Sequence, residues 1–307
     1  MHRLVNNVIK NISKKDINIK KNYKIVRRLH ELLNTSFVNN KNFEDVMVEL
    51  KDRQIECRVF KNYGKSKNNK VIIYIHGGGW VIGSVDSYTK TCMELSKQTN
   101  RIVIAIDYRL APEYPYPCGF NDCYEFVQLF MKNLKSFGLN SKDVCLMGDS
   151  AGGNLVAAIT LRASKEKTFK IKEQILLYPA LQSDYSDKTK YKSVIEKGKD
   201  YFLTQKQLQD YMSLYVPDCK DLKSPYVSPL NKKIIFNQPR TLLITCDNDP
   251  LRDEGKTYAK KLKSYLNKVQ YYNLEGAIHG VFNNPIDKKY KAIIFDKIKQ
   301  FLGDNNE

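Results

Sequence analysis

Six short apolar runs separated by helix-patterned stretches constrain this chain more than any other feature. Val71–Ile75, Ile102–Ile106, Val144–Met147, Ile175–Leu177, Leu242–Thr245 and a weaker Val269–Leu274 alternate with helical patterns near residues 88–99, 119–135, 152–166, 252–266 and 287–302. A strand covered on both faces reads as a continuous apolar run, and helical crossovers between such strands keep them parallel. The expectation is a doubly wound α/β architecture, a mostly parallel sheet with helices on both faces. At 307 residues the chain can bury one large core of this kind, and it is read as a single domain over 1–307.

Two intervals fall outside the alternation. Residues 1–45 read as helical and amphipathic, with Ile25, Leu29, Leu32 and Leu33 at helical spacing. Residues 46–60 alternate in part and begin a strand region, and Gly64–Lys70 reads as a turn. Residues 182–235 are rich in tyrosine and charge, contain no clear central strand, and open a helix with the capping-box pattern Thr204-x-x-Gln207. An insertion between strands of such a sheet commonly lies over their carboxyl ends. With residues 1–45 it forms either a lid or a plain surface excursion.

The net charge of +18 raises a nucleic-acid reading, but only ten of the 51 basic residues are arginine. Lysine is a compact solvated charge, whereas arginine makes most specific base and bidentate phosphate contacts. The lysines are spread along the chain without an aromatic-interleaved basic box, so solvated faces account for them and no nucleic-acid partner is expected. Seven scattered cysteines without a C-x-x-C argue for reduced thiols, against a disulfide framework and against a metal site. No apolar run approaches the roughly 18 residues of a membrane span, and the N-terminus lacks the apolar core of a secretory signal. A soluble, cytoplasmic protein is expected.

Chemistry enters at Gly148-Asp149-Ser150-Ala151-Gly152, a G-x-S-x-G frame between the run Val144–Met147 and the helix-like Asn154–Ile159. Strand, sharp turn and helix form the context in which this frame lifts a serine hydroxyl out of a sheet. Gly148 and Gly152 keep side chains out of the turn. Upstream, His76-Gly77-Gly78-Gly79-Trp80 follows the strand Val71–Ile75, and successive glycines there leave backbone N–H groups open to a substrate oxygen.

A serine nucleophile needs a base, and the chain has His2, His30, His76 and His279. His2 lies at the terminus, His30 reads as a solvated helix residue, and His76 reads as shaping the glycine loop through hydrogen bonds. His279 follows the last strand-like run, as the chain order Ser…Asp…His requires. The orienting acid belongs in the loop Asp247-Asn248-Asp249-Pro250-Leu251-Arg252-Asp253 after Leu242–Cys246. Asp253 falls in the first helical turn and Asp247 can structure the loop, while the proline favours an extended Asp249. Three aspartates compete, and pattern alone favours Asp249.

These motifs, with Asp107-Tyr108-Arg109-Leu110-Ala111-Pro112-Glu113, Asp249–Gly255 and Ile278-His279-Gly280, resemble the hormone-sensitive-lipase-like group of α/β-hydrolases from about residue 70 to 300. That group includes bacterial carboxylesterases and arylacetamide-deacetylase-like enzymes. The resemblance implies the α/β-hydrolase fold with a helical cap from about 1–45 and 182–235. It assigns the triad acid to Asp249, beside Ser150 and His279, and the oxyanion-hole amides to Gly78, Gly79 and Ala151. His76, Gly77, Gly148, Asp149 and Gly152 support these motifs, and the Tyr108–Glu113 run braces the glycine loop. The implied activity is hydrolysis of a small-molecule ester through an acyl-enzyme, without metal or organic cofactor. Amide deacetylation, lactone hydrolysis and a binding-only role share the same scaffold. Tyr185, Tyr191, Tyr201, Tyr211 and Tyr215 point to an aromatic lid and short- to medium-chain acyl groups.

Overall fold

The computed structural model describes residues 18–35, 43–61, 69–199, 202–284 and 287–303. In chain order the elements are α1 (Ile19–Asn34), β1 (Phe43–Glu49), β2 (Gln54–Phe60), β3 (Val71–Ile75), α2 (Val85–Thr99), β4 (Ile102–Asp107), α3 (Cys118–Lys132) and β5 (Val144–Asp149). They continue with α4 (Ala151–Glu166), β6 (Glu173–Leu177), α5 (Lys192–Lys197), α6 (Gln205–Tyr215), β7 (Arg240–Asn248), α7 (Arg252–Ser264), β8 (Val269–Ile278) and α8 (Lys288–Gly303). The turn read at Gly64–Lys70 and the terminal His2 lie largely or wholly outside the described residues.

The strands form one eight-stranded sheet in the order β1-β2-β4-β3-β5-β6-β7-β8. Pairings from β4 through β8 are parallel, and β1 and β2 add an antiparallel hairpin at the β4 edge. Every residue of β3, β5 and β6 is buried, which is why these strands read as unbroken apolar runs. Ile73, Ile75 and Leu146 pack with α3 and α4 on one face, while Ile72, Tyr74, Cys145 and Met147 pack with α2 and α8 on the other. The chain is thus an α/β hydrolase fold in which both faces of the sheet are covered.

Strand order explains where chemistry can occur. From β3 the chain moves to β4 on one side, and from β5 it moves to β6 on the other. Adjacent strands whose crossovers leave in opposite directions open a crevice at their carboxyl ends. The two glycine-rich motifs are the segments that leave those two ends. Ile75 and Gly148 are register partners across the β3–β5 pair.

The N-terminal reading needs two corrections. The helix stops at Asn34, and the strand β1 begins at Phe43, so residues 43–45 belong to the sheet. The cause is tertiary: Phe43 pairs with Phe60 across the hairpin, their ring centroids 5.8 Å apart. Within α1 the apolar stripe faces outward, with Ile25, Leu29, Leu32 and Leu33 all exposed. The capping box at Thr204 forms as expected, with Gln207 N–H donating to Thr204 Oγ1 and Thr204 N–H to Gln207 Oε1.

Candidate active site

Ser150 sits between β5 and α4 with φ 52° and ψ −119°, a conformation that costs a non-glycine residue roughly 1–3 kcal/mol. Its neighbours hold it there. Ser150 N–H donates to the Leu177 carbonyl at 2.9 Å, and its own carbonyl accepts from Asn154 N–H at 3.0 Å. The flanking glycines follow from crowding. A Cβ on Gly152 would lie 2.0 Å from the Ile75 carbonyl oxygen, and one on Gly148 would lie 2.5 Å from the Gly152 carbonyl carbon. The turn therefore closes only with hydrogen at both positions.

Three side chains from the carboxyl end of the sheet form a hydrogen-bonded line. His279 Nε2 is 2.9 Å from Ser150 Oγ, and His279 Nδ1 is 2.8 Å from Asp249 Oδ2. With the proton on Nδ1 donated to the carboxylate, Nε2 presents a lone pair to the serine hydroxyl. Asp249 is fully buried, and its Oδ1 accepts from Leu251 N–H at 2.8 Å, which fixes the carboxylate plane. The other two aspartates are engaged elsewhere. Asp253 accepts from Ser193 N–H and pairs with Arg252, and Asp247 faces the same arginine at 3.6 Å.

The glycine loop is tied to the elbow through Asp149. This fully buried carboxylate accepts from Gly77 N–H at 2.9 Å and from the hydroxyls of Tyr74 and Tyr88 at 2.8 and 2.9 Å. Burial pushes its pKa up, opposed by those three donors. His76 stacks on Tyr108 at 4.4 Å, and its Nδ1 lies 2.7 Å from the Gly77 carbonyl. Burial pulls His76 down to about 4, so it remains a neutral shaping group. Gly78, at φ 114°, carries the loop back on itself: its carbonyl accepts from both Val81 and Ile82 N–H. Among the described residues, the N–H groups of Gly78 and Gly79 in the loop and of Ala151 at the start of α4 donate to no protein acceptor.

The Tyr108–Glu113 run acts as a brace. Tyr108 OH donates to the His76 carbonyl, Ala111 N–H donates to the Trp80 carbonyl, and Glu113 holds Arg27 of α1 at 3.0 Å. Arg27 also donates to the carbonyls of Val81 and Ala111, joining α1 to the end of the glycine loop. His30, expected to be solvated, is instead packed inward: its Nδ1 is buried without a hydrogen-bond partner among the described residues. Burial, with a contribution from His76, lowers its pKa to about 4.

The tyrosines expected in the lid take different places. Of the five tyrosines, Tyr211 lies over Gly79, where an added Cβ would come within 2.5 Å of its ring. Tyr215 stacks on Trp80 at 4.5 Å, Tyr185 bonds Glu254, Tyr191 is buried, and Tyr201 lies outside the described residues. Sequence reasoning also missed Tyr178, whose ring meets His279 edge-on at 4.9 Å and whose hydroxyl accepts from Phe282 N–H. A tyrosine–proline pair immediately after a strand end was the available signal.

This geometry agrees with the comparisons to known proteins. The pattern of the alpha/beta hydrolase fold family matches residues 72–283, and the chain belongs to that family, in its hormone-sensitive-lipase-like branch. It is 33% identical over 242 residues to an arylesterase of Saccharolobus solfataricus, covering 78% of this chain and 77% of that one. It is 30% identical over 220 residues to the carboxylesterase NlhH of Mycobacterium tuberculosis, covering 70% and 67%. A hyperthermophilic esterase from the archaeon Pyrobaculum calidifontis superimposes with a TM-score of 0.81 at 29% identity, covering 95% and 97%.

Proposed function

We propose that this protein is a serine carboxylesterase that cleaves short- to medium-chain acyl esters through a Ser150–His279–Asp249 triad. The observation that carries the reading is the line from a strained, outward-turned Ser150 hydroxyl through His279 to a buried, amide-fixed Asp249. Ser150 Oγ attacks the ester carbonyl while His279 Nε2 takes its proton. The imidazolium then gives that proton to the leaving alcohol, and an acyl-enzyme remains. Water, deprotonated by His279, adds to the acyl carbon, and Ser150 leaves with the proton returned.

The amides of Gly78, Gly79 and Ala151 receive the developing oxyanion, each contributing roughly 3 kcal/mol as comparable donors do. Asp149 supports this by holding Gly77 against the elbow, so the donor loop and the nucleophile move as one body. In the same reading residues 1–307 form one hydrolase domain. Its cap is built from α1 and residues 182–235, with Tyr211 bounding the acyl site above Gly79.

The test is covalent labelling of Ser150 by a fluorophosphonate probe together with turnover of p-nitrophenyl esters of increasing acyl length. Labelling that depends on His279, with turnover falling from short to long chains, is the expected outcome. Folded protein that neither labels nor turns over would assign the chain to binding instead of catalysis.

A further inference from the structure

Helix α1 carries a surface that the hydrolytic reading does not use. Its outward residues are Lys20, Lys21, Lys24, Ile25, Arg28, Leu29, Leu32 and Leu33, all exposed. Beyond a kink at Asn22, a helical projection places the four aliphatic residues in one contiguous stripe with Lys24 and Arg28 along one side of it, and Lys20 and Lys21 are exposed on the turn before the kink. Leu32 and Leu33 are 77% and 78% exposed and, beside Ile25 and Leu29, make a contiguous apolar patch of the kind that marks an interaction surface. Among the described residues no carboxylate forms a salt bridge with Lys20, Lys21, Lys24 or Arg28, and Glu31 is turned partly inward.

The helix is nevertheless firmly seated. Its inward side buries Ile19, packs Tyr23 and Val26 on the core, and places Arg27 on the Val81 and Ala111 carbonyls. Ile19 N–H donates to Asp210 of α6 at 3.0 Å, so α1 is attached to the segment that covers Gly79. The stripe is therefore a fixed face of a docked helix.

We propose that α1 is an interfacial helix that docks the protein on an anionic lipid surface. An aliphatic stripe flanked by Lys and Arg on an exposed helix is the arrangement that inserts shallowly among acyl chains while its cations meet lipid phosphates and carboxylates. The net charge of +18 adds long-range attraction to such a surface. A second copy of the chain fits this face poorly in an antiparallel two-fold pairing of α1, which would bring the cations of the two copies together. Nor is insertion across a bilayer implied, since no helix among the described residues is long and apolar enough to cross one. Docking goes beyond the esterase reading and does not depend on it. If both hold, the covering segment is brought to the phase in which apolar esters dissolve.

The experiment is flotation of the full chain with vesicles of phosphatidylcholine alone and of phosphatidylcholine mixed with phosphatidylserine. It is run at low and high salt, and repeated with Ser150→Ala so that hydrolysis plays no part. The expected result is flotation with the anionic vesicles that weakens as salt screens the cations. Partitioning falls at least about tenfold both in Leu29→Asp/Leu32→Asp and in Lys21→Gln/Lys24→Gln/Arg28→Gln. These positions are exposed, so circular dichroism and turnover of a soluble p-nitrophenyl ester should match wild type in both variants. Three outcomes overturn the proposal. One is folded wild-type protein that stays unbound to anionic vesicles. Another is binding indifferent to the leucine substitutions, which makes the attraction purely electrostatic. The third is a concentration-dependent dimer, seen by light scattering and lost in the leucine variant, without vesicle binding.

Discussion

Around Ser150, the two buried carboxylates are each held by more than one donor, whereas the segments lying over it meet the body through apolar packing and one arginine. Asp249 accepts from His279 and from Leu251 N–H, and Asp149 accepts from two tyrosines and Gly77 N–H, both in fully buried positions. The overlying α6 meets the body through the rings of Tyr211 and Tyr215, α1 meets it through Arg27, Tyr23 and Val26, and Asp210 joins the two helices at Ile19 N–H. Buried networks with every partner satisfied allow one arrangement, while apolar ring contacts tolerate small shifts. The sheet end is built to keep reacting atoms in place, and the ring of Tyr211 over Gly79 is the part of the covering placed to yield to a substrate.

The sharpest way to break this contrast is to remove the nucleophile. Ser150→Ala should lower turnover of a p-nitrophenyl ester by about a millionfold and abolish fluorophosphonate labelling, with the fold unchanged by circular dichroism. Next, Asp249→Asn leaves the carboxamide in place but favours the wrong imidazole tautomer, and kcat should drop about ten-thousandfold. A loss of only a few-fold would mean that His279 is oriented by something else, Tyr178 being the neighbour to examine.

On the covering side, Tyr211→Ala should leave turnover of an acetate ester within a few-fold of wild type. It should also shift the ratio of kcat/KM values for longer against shorter acyl esters by about tenfold. If this substitution cost as much as Asp249→Asn, the covering would belong to the reacting group and the contrast would fail.

The smallest effect concerns Glu254, fully buried beneath the start of the covering segment. It accepts from Leu181 N–H at 2.6 Å and from Tyr185 OH at 3.3 Å. Burial raises its pKa well above the ordinary carboxyl value of 4.5. An acid whose folded pKa exceeds its unfolded one destabilises the fold increasingly as pH climbs from the unfolded value toward the folded value. Glu254→Gln removes that term while keeping an acceptor. Chemical denaturation should show the variant gaining on wild type as pH rises above the ordinary carboxyl range, where the unfolded chain ionises and buried Glu254 resists doing so. A pH-independent difference would show that Glu254 is ionised throughout.

How much of this was legible depended on the range of the contacts. The strands β3 to β7, the elbow and the glycine loop were readable because each is a local pattern of apolar runs and glycines. So was the Thr204 cap, whose partners are three residues apart. The three-way choice among Asp247, Asp249 and Asp253 was not settled by pattern, since all three lie in one loop and differ only in what reaches them. His30 read as solvated because a helix sequence does not reveal which side another element will cover. The Val269 strand read weakly because β8 is an edge strand with mostly half-exposed residues.

By itself the sequence determined the doubly wound sheet, the strained serine turn and the limited supply of bases, because these follow from backbone sterics and burial within a few residues. Tertiary structure alone decided that Ser150, Asp249 and His279 converge, across separations of 129 and 30 residues. It also decided that Tyr74 and Tyr88 grip Asp149, and that the leucines of α1 face outward. A crevice at the reversal of strand order and the covering of one helix face by another arise from packing between distant segments, which no local pattern encodes.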